Sequence, residues 1–133
     1  MNTIKTAITA TVSLGMQEVA LLLQRASLYT TSTALQEKLK LTRDTQSLIR
    51  EYLEDDHYYS LQNILNLTPR ELGKVLRAVS HITGMQVDRI AFVNEFDSDG
   101  QAYAMAHLDV TINLKSRKAY STETPVDKDK DAV

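Results

Sequence analysis

Residues 3–12 alternate between apolar and polar side chains, with Ile4, Ile8, Ala10 and Val12 on one side and Thr3, Lys5, Thr9 and Thr11 on the other. A period of two predicts a half-buried strand. Ser13 then stands where a helix N-cap belongs. Met16, Val19, Leu22, Leu23 and Ala26 recur at helical spacing, which predicts a helix over about 14–28. Leu21 falls outside that stripe and widens the apolar surface beyond one face. Thr33 and Gln36 have the spacing of a capping box and open a short helix through about Leu39. A further helix over 43–54 turns Leu48, Ile49, Tyr52 and Leu53 inward, and a short helical turn follows at 60–65.

Every local cue agrees on the next helix, 69–83. Thr68 is its N-cap, Pro69 occupies the first position, Glu71 the third, and Leu67 and Leu72 are placed as a hydrophobic staple. Leu72, Val75, Leu76, Val79 and Ile82 make the apolar stripe, and Gly84 suits a left-handed exit. Two strands, 87–96 and 102–114, are separated by Asp97-Ser98-Asp99-Gly100-Gln101, a loop that closes a hairpin. In the second strand the even positions from Ala102 to Leu114 are all apolar, while Tyr103, Met105, His107, Asp109, Thr111 and Asn113 hold the other face. Residues 117–124 suggest a weak edge strand, and from Pro125 onward the chain offers almost nothing to bury.

This order predicts an α+β fold. An antiparallel sheet, built from the N-terminal strand and the C-terminal hairpin, is covered on one face by three to four helices. A single domain over 1–124 would precede a disordered charged tail over 125–133. The length of 133 residues suffices for one core without a metal or disulfide. No run approaches the roughly 20 apolar residues that cross a bilayer. The first residues lack the pattern of a secretory signal, so a cytoplasmic protein with no membrane partner is expected. The absence of cysteine removes disulfides, thiolate metal sites and thiol catalysis. A net charge of -2 supplies no global attraction to nucleic acid, so anion binding would need a local basic patch.

Four groups of residues bear on chemistry. Glu95-Phe96-Asp97-Ser98-Asp99-Gly100 begins like a calcium loop, but Ala106 stands where the twelfth-position carboxylate belongs, so a structural turn without metal is expected. His107 and Asp109, two apart on a strand, with Glu95 across from them, have the residue types for general acid–base work. No nucleophile elbow, zinc-protease motif or phosphate loop accompanies them, so no catalytic residue and no cofactor is assigned. Tyr103, Met105 and His107 instead have the composition of an oligomer interface.

The third group is basic. Arg70, Lys74, Arg77 and His81 form one stripe on the 69–83 helix, and Lys115, Arg117 and Lys118 a second cluster; together they predict a site for a nucleotide or nucleic acid. The fourth is acidic: Glu54, Asp55 and Asp56 at a helix end, followed by Tyr58 and Tyr59, predict a partner-binding patch. Carboxylates there oppose the helix dipole, and tyrosines anchor interfaces. The leading expectation is a non-catalytic regulatory or inhibitory module that acts through protein contacts as a homo-oligomer. A binder of an anionic ligand, or a small hydrolase using Glu95, His107 and Asp109, are the alternatives.

Overall fold

The computed structural model describes residues 6–55 and 57–114. Its elements run β1 (Ala7–Gly15), α1 (Met16–Ser27), α2 (Thr33–Lys38), α3 (Arg43–Asp55), β2 (Tyr58–Ser60), α4 (Leu61–Leu65), α5 (Pro69–Thr83), β3 (Gln86–Phe96) and β4 (Ala102–Asn113). The strands form one antiparallel sheet in the order β1-β4-β3-β2. The α+β class, the N-terminal strand paired to the C-terminal hairpin, and the helices on one face are all as the pattern predicts. The expected edge strand at 117–124 and the charged tail lie outside the described residues.

Cross-strand register explains which face is dry. Val12, Leu108 and Ile90 line up across three strands, as do Leu14, Ala106 and Phe92. Their side chains share a core with Val19, Leu23, Ile49, Leu53, Val75 and Val79 from the helices. Between Val87 and Arg89 the β3–β4 register shifts, so Asp88 has no partner of its own. That bulge lets Val87 and Ile90 both reach the core although they are three residues apart.

Three local expectations are corrected. Ser13 is not a helix cap: the strand pairs with β4 as far as Gly15, and the Gly15 N–H is taken by the Glu18 carboxylate at 2.7 Å. Sheet pairing thus displaces a locally favourable cap by two residues. Ser32, rather than Thr33, caps α2 by accepting from the Leu35 N–H, and Gln36 reaches back to the Thr30 carbonyl. In α3 the inward face is Gln46, Ile49 and Leu53, whereas Leu48 and Tyr52 are exposed. Gln46 is tolerated inside because its amide donates to the Leu41 carbonyl at 3.1 Å.

The α5 signals hold in detail. The Thr68 hydroxyl accepts from the Glu71 N–H, the Glu71 carboxylate accepts from the Thr68 N–H, and Gly84 exits at φ 72°. Lys38 donates to the same carboxylate at 2.8 Å, which holds the Glu71 carboxyl below its ordinary value and ties α2 to the start of α5. We expect Thr68→Ala to cost about 1 kcal/mol of stability, as cap removal does. Phe92→Ala should cost about 3–5 kcal/mol, because the ring is fully enclosed and its loss leaves a cavity. Urea denaturation of the two variants checks both values and their order.

Candidate functional site

The face of the sheet opposite the helices carries the alternate residues of every strand. Its hydrogen bonding gathers at Glu95, near the hairpin end of β3. Its carboxylate accepts from Ser13 at 3.2 Å and from Tyr103 at 3.3 Å, and meets Nε2 of His107 at 2.5 Å. Nearby, Thr11 donates to Asp109 at 3.2 Å, and Thr111 donates to Asp88 at 2.5 Å. His107 thus finds its carboxylate across the strand pair in Glu95, whereas Asp109 accepts from Thr11. Ser13 and His107 face each other in the register, yet the serine hydroxyl donates to Glu95 and not to the imidazole. That is a hydrogen-bonded cluster around one acceptor, without the nucleophile-to-base bond that acyl transfer requires. Tyr103 is exposed and Met105 and His107 are half-buried. Met105 pairs with Val93 as an apolar spot inside the polar network.

The acidic–tyrosine segment is divided by the sheet. Tyr58 and Tyr59 lie on β2 opposite Val93 and Phe92, so their side chains take opposite faces. Tyr58 lies under the Arg89 guanidinium, 4.6 Å from its ring centre, while Tyr59 packs on the core and against the Tyr52 ring at 5.1 Å. The two tyrosines therefore do not form one exposed pair. Glu54 and Asp55 are exposed, and Asp56 lies outside the described residues. The Asn94 amide donates to the Leu53 carbonyl at 2.9 Å, satisfying part of the α3 terminus. Glu54 and Tyr103, taken from two separate candidate groups, line one recess of about 520 Å³ with Arg50.

Along α5, Arg70, Lys74, Arg77 and His81 are all exposed. Lys74, Arg77 and His81 gather at a recess of about 380 Å³ with Tyr29, whereas Arg70 does not line it. Lys115, Arg117 and Lys118 lie outside the described residues, so the structure does not join them to the stripe. The Asp97 loop is a tight turn. One oxygen of Asp97 accepts from the N–H groups of Asp99 and Gln101, both at 2.9 Å, and Gly100 adopts φ 79°. Among the described residues no three His, Asp or Glu side chains are grouped as a metal shell would need. Among the same residues no helix is long and apolar enough to cross a membrane.

No protein-family model, curated protein or solved structure matches this chain. The functional reading therefore rests on its own surfaces, two of which lie outside the four candidate groups. Gln17, Leu21, Gln24 and Leu28 follow one another at helical spacing on the outer side of α1 and line a groove of about 790 Å³. Leu39 and Leu41 lie beneath it, both buried, while Leu21 is 61% and Leu28 81% exposed. The one sign of this groove in the sequence was Leu21 standing off the core stripe. The second surface is the outer edge of β1, nine residues long and terminal in the sheet. From Ala7 to Gly15 it has no charged residue and no proline.

Glu95 also makes the open face sensitive to acid. Its hydrogen bond with His107, then those from Ser13 and Tyr103, hold its carboxyl below the ordinary 4.5 despite partial desolvation. Partial burial, and then the Glu95 charge, push the Tyr103 phenol above its usual value. A carboxyl lowered in the native state stabilises it well above 4.5, and that contribution disappears as pH falls through the lowered native value. The stability advantage of the wild type over Glu95→Gln should accordingly shrink as pH falls through the lowered range of the carboxyl. Chemical denaturation of both proteins along a pH series from neutral downward measures it; a gap that widens in acid would refute the assignment.

Proposed function

We propose that this protein is a non-catalytic binding module that regulates or inhibits a partner protein, which it engages through the α1 groove. The observation that carries the reading is the exposure of Leu21 and Leu28 above a floor of buried leucines. Isolated exposed leucines need no explanation, but leucines aligned along a helix and backed by a groove are characteristic of protein contact sites. The groove suits an amphipathic helix laid alongside α1. Its charged lining residues are Arg25 and Lys40; Lys40 is paired with Glu37 at 2.7 Å, so Arg25 is the cation that an acidic residue beside the apolar stripe of that helix would complement. Covering the two leucines would contribute about 2–4 kcal/mol to such a complex.

Among the described residues no nucleophile is bonded to a base, which supports a binding role over a hydrolytic one. Glu95 and His107 are bonded to each other on a sheet face, and Asp109 takes no part in their contact.

Because both leucines are exposed, Leu21→Glu/Leu28→Glu should leave thermal stability nearly unchanged while weakening partner binding at least about tenfold, as the loss of 1.4 kcal/mol or more implies. Capture from native lysate on immobilised wild type and double variant, followed by titration of the retained protein, measures this. The groove is not the contact site if both forms retain the same proteins with equal affinity.

Self-association is a second reading, favoured by the β1 edge. Among the described residues the outer edge of β1 has no strand partner, and a long edge without charge, proline or bulge offers backbone groups that a second copy can complete in antiparallel fashion. The polar groups on the Tyr103–His107 face, in contrast, already bond to one another. Sedimentation at a concentration on the order of tens of micromolar should show a dimer. Thr9→Lys/Thr11→Lys should return it to monomer, because a symmetric pairing brings the introduced ammonium groups together. A wild type that stays monomeric under those conditions eliminates edge pairing.

A further inference from the structure

The recess between the end of α1 and the outer side of α5 differs from the α1 groove in charge, and nothing in the partner-binding reading uses it. Lys74, Arg77 and His81 line it at successive turns of α5, and Tyr29, Thr30 and Thr31 close it from the loop after α1. No carboxylate is among its lining residues. Among the described residues neither Lys74 nor Arg77 has an ion-pair partner, in contrast to Lys38 and Lys40, which do. Two cations held side by side without an acid repel each other unless an anion is present.

The aromatic component is also in place. The Tyr29 ring is 56% exposed and meets the His81 ring edge-on, with centroids 5.4 Å apart. Its loop is pinned by the hydrogen bonds from the Tyr29 N–H to the Ala26 carbonyl, from the Ser32 N–H to the Thr30 hydroxyl, and from the Gln36 amide to the Thr30 carbonyl. The recess is thus preorganised on the side that carries the ring. On the helix side, a Cβ on Gly73 would stand 3.4 Å from the Arg77 guanidinium, so the missing side chain leaves that group room to fold along α5.

We propose that this recess binds a small phosphate ester bearing a flat ring, of the nucleoside-monophosphate class, with the phosphate between Lys74 and Arg77 and the ring against Tyr29. Its volume of about 380 Å³ lies in the lower part of the range of small-ligand sites. The cations meet in a recess instead of continuing along a ridge: Arg70, one turn before Lys74, lies outside it. A nucleic-acid backbone would need such a continuation, and a small ligand does not. Tyr29 supplies the stacking surface that a base requires, and Thr31 offers a hydroxyl beside it.

Calorimetric titration of the full chain with adenosine and guanosine 5′-monophosphates, inorganic phosphate, adenosine alone and a single-stranded oligonucleotide separates the possibilities. A nucleoside monophosphate should bind more tightly than either phosphate or adenosine, and weaken as salt is raised. Lys74→Gln/Arg77→Gln should reduce that affinity at least tenfold and flatten the salt dependence. Tyr29→Leu should reduce nucleotide affinity severalfold yet leave inorganic phosphate unchanged. All three positions are exposed, so unchanged thermal unfolding of the free variants confirms intact folding. The proposal is overturned by no binding at millimolar nucleotide, by binding that the Lys74/Arg77 variant retains, or by an oligonucleotide whose affinity grows with length. The Leu21/Leu28 variant should bind nucleotide normally, so failure here and failure of the α1 groove are separate results.

Discussion

One packing seam organises this molecule: the face of the central strands β3 and β4 that carries Ile90, Phe92, Ala106 and Leu108. Each of the four is almost completely enclosed. Helices α1, α3 and α5 contribute Val19, Leu23, Ile49, Leu53, Val75 and Val79 to the same core. Because side chains alternate across a strand, committing the even positions of β4 to that core commits its odd positions to the other side. The open face with Tyr103, Met105, His107 and Asp109 is a direct consequence of the seam. The same constraint separates Tyr58 from Tyr59, which are neighbours in sequence but point to opposite sides of the sheet.

The open face meets that exposure with internal hydrogen bonding. Glu95 collects Ser13, Tyr103 and His107 from β1 and β4, so three strands are linked through one carboxylate. Such a network can ionise and respond to acid. The helix side of the protein behaves differently. Leu21 and Leu28 have no covering group, and Lys74 and Arg77 have no counter-ion, among the described residues. The two recesses proposed for a partner helix and a small anion lie on the outer sides of α1 and α5, and the uncharged β1 edge is a third open surface.

The β1 strand shows how far local signals can compete with pairing. Ser13 is a good cap in isolation, yet β1 continues two residues past it because each added residue finds a backbone partner on β4 as far as Met105. Glu18 then serves the Gly15 N–H, and the helix starts without a side-chain oxygen at its cap position. The strand has no described neighbour on its outer side, so the pairing that extended it also leaves an uncharged edge.

Periodicity and capping determined the class of fold, the β3–β4 hairpin and the whole of α5, because these depend on contacts between residues near in sequence or on the alternation of a single strand. Thr68, Pro69, Glu71 and Gly84 act within one helix and could be read directly. The exposure of Leu48 and Tyr52, the core position of Gln46 and the short strand β2 were decided by tertiary packing. Which side of α3 faces inward depends on where the sheet lies, and a three-residue strand exists only because β3 offers it an edge. The functional surfaces divide in the same way. The basic stripe was visible as a helical repeat, but Tyr29 joins Lys74, Arg77 and His81 only because the end of α1 folds against α5, some forty-five positions distant in the chain. The hairpin pattern already set Glu95 across from His107 and Asp109; that His107 bonds to Glu95 while Asp109 accepts from Thr11 was decided by how β1, β3 and β4 pack together.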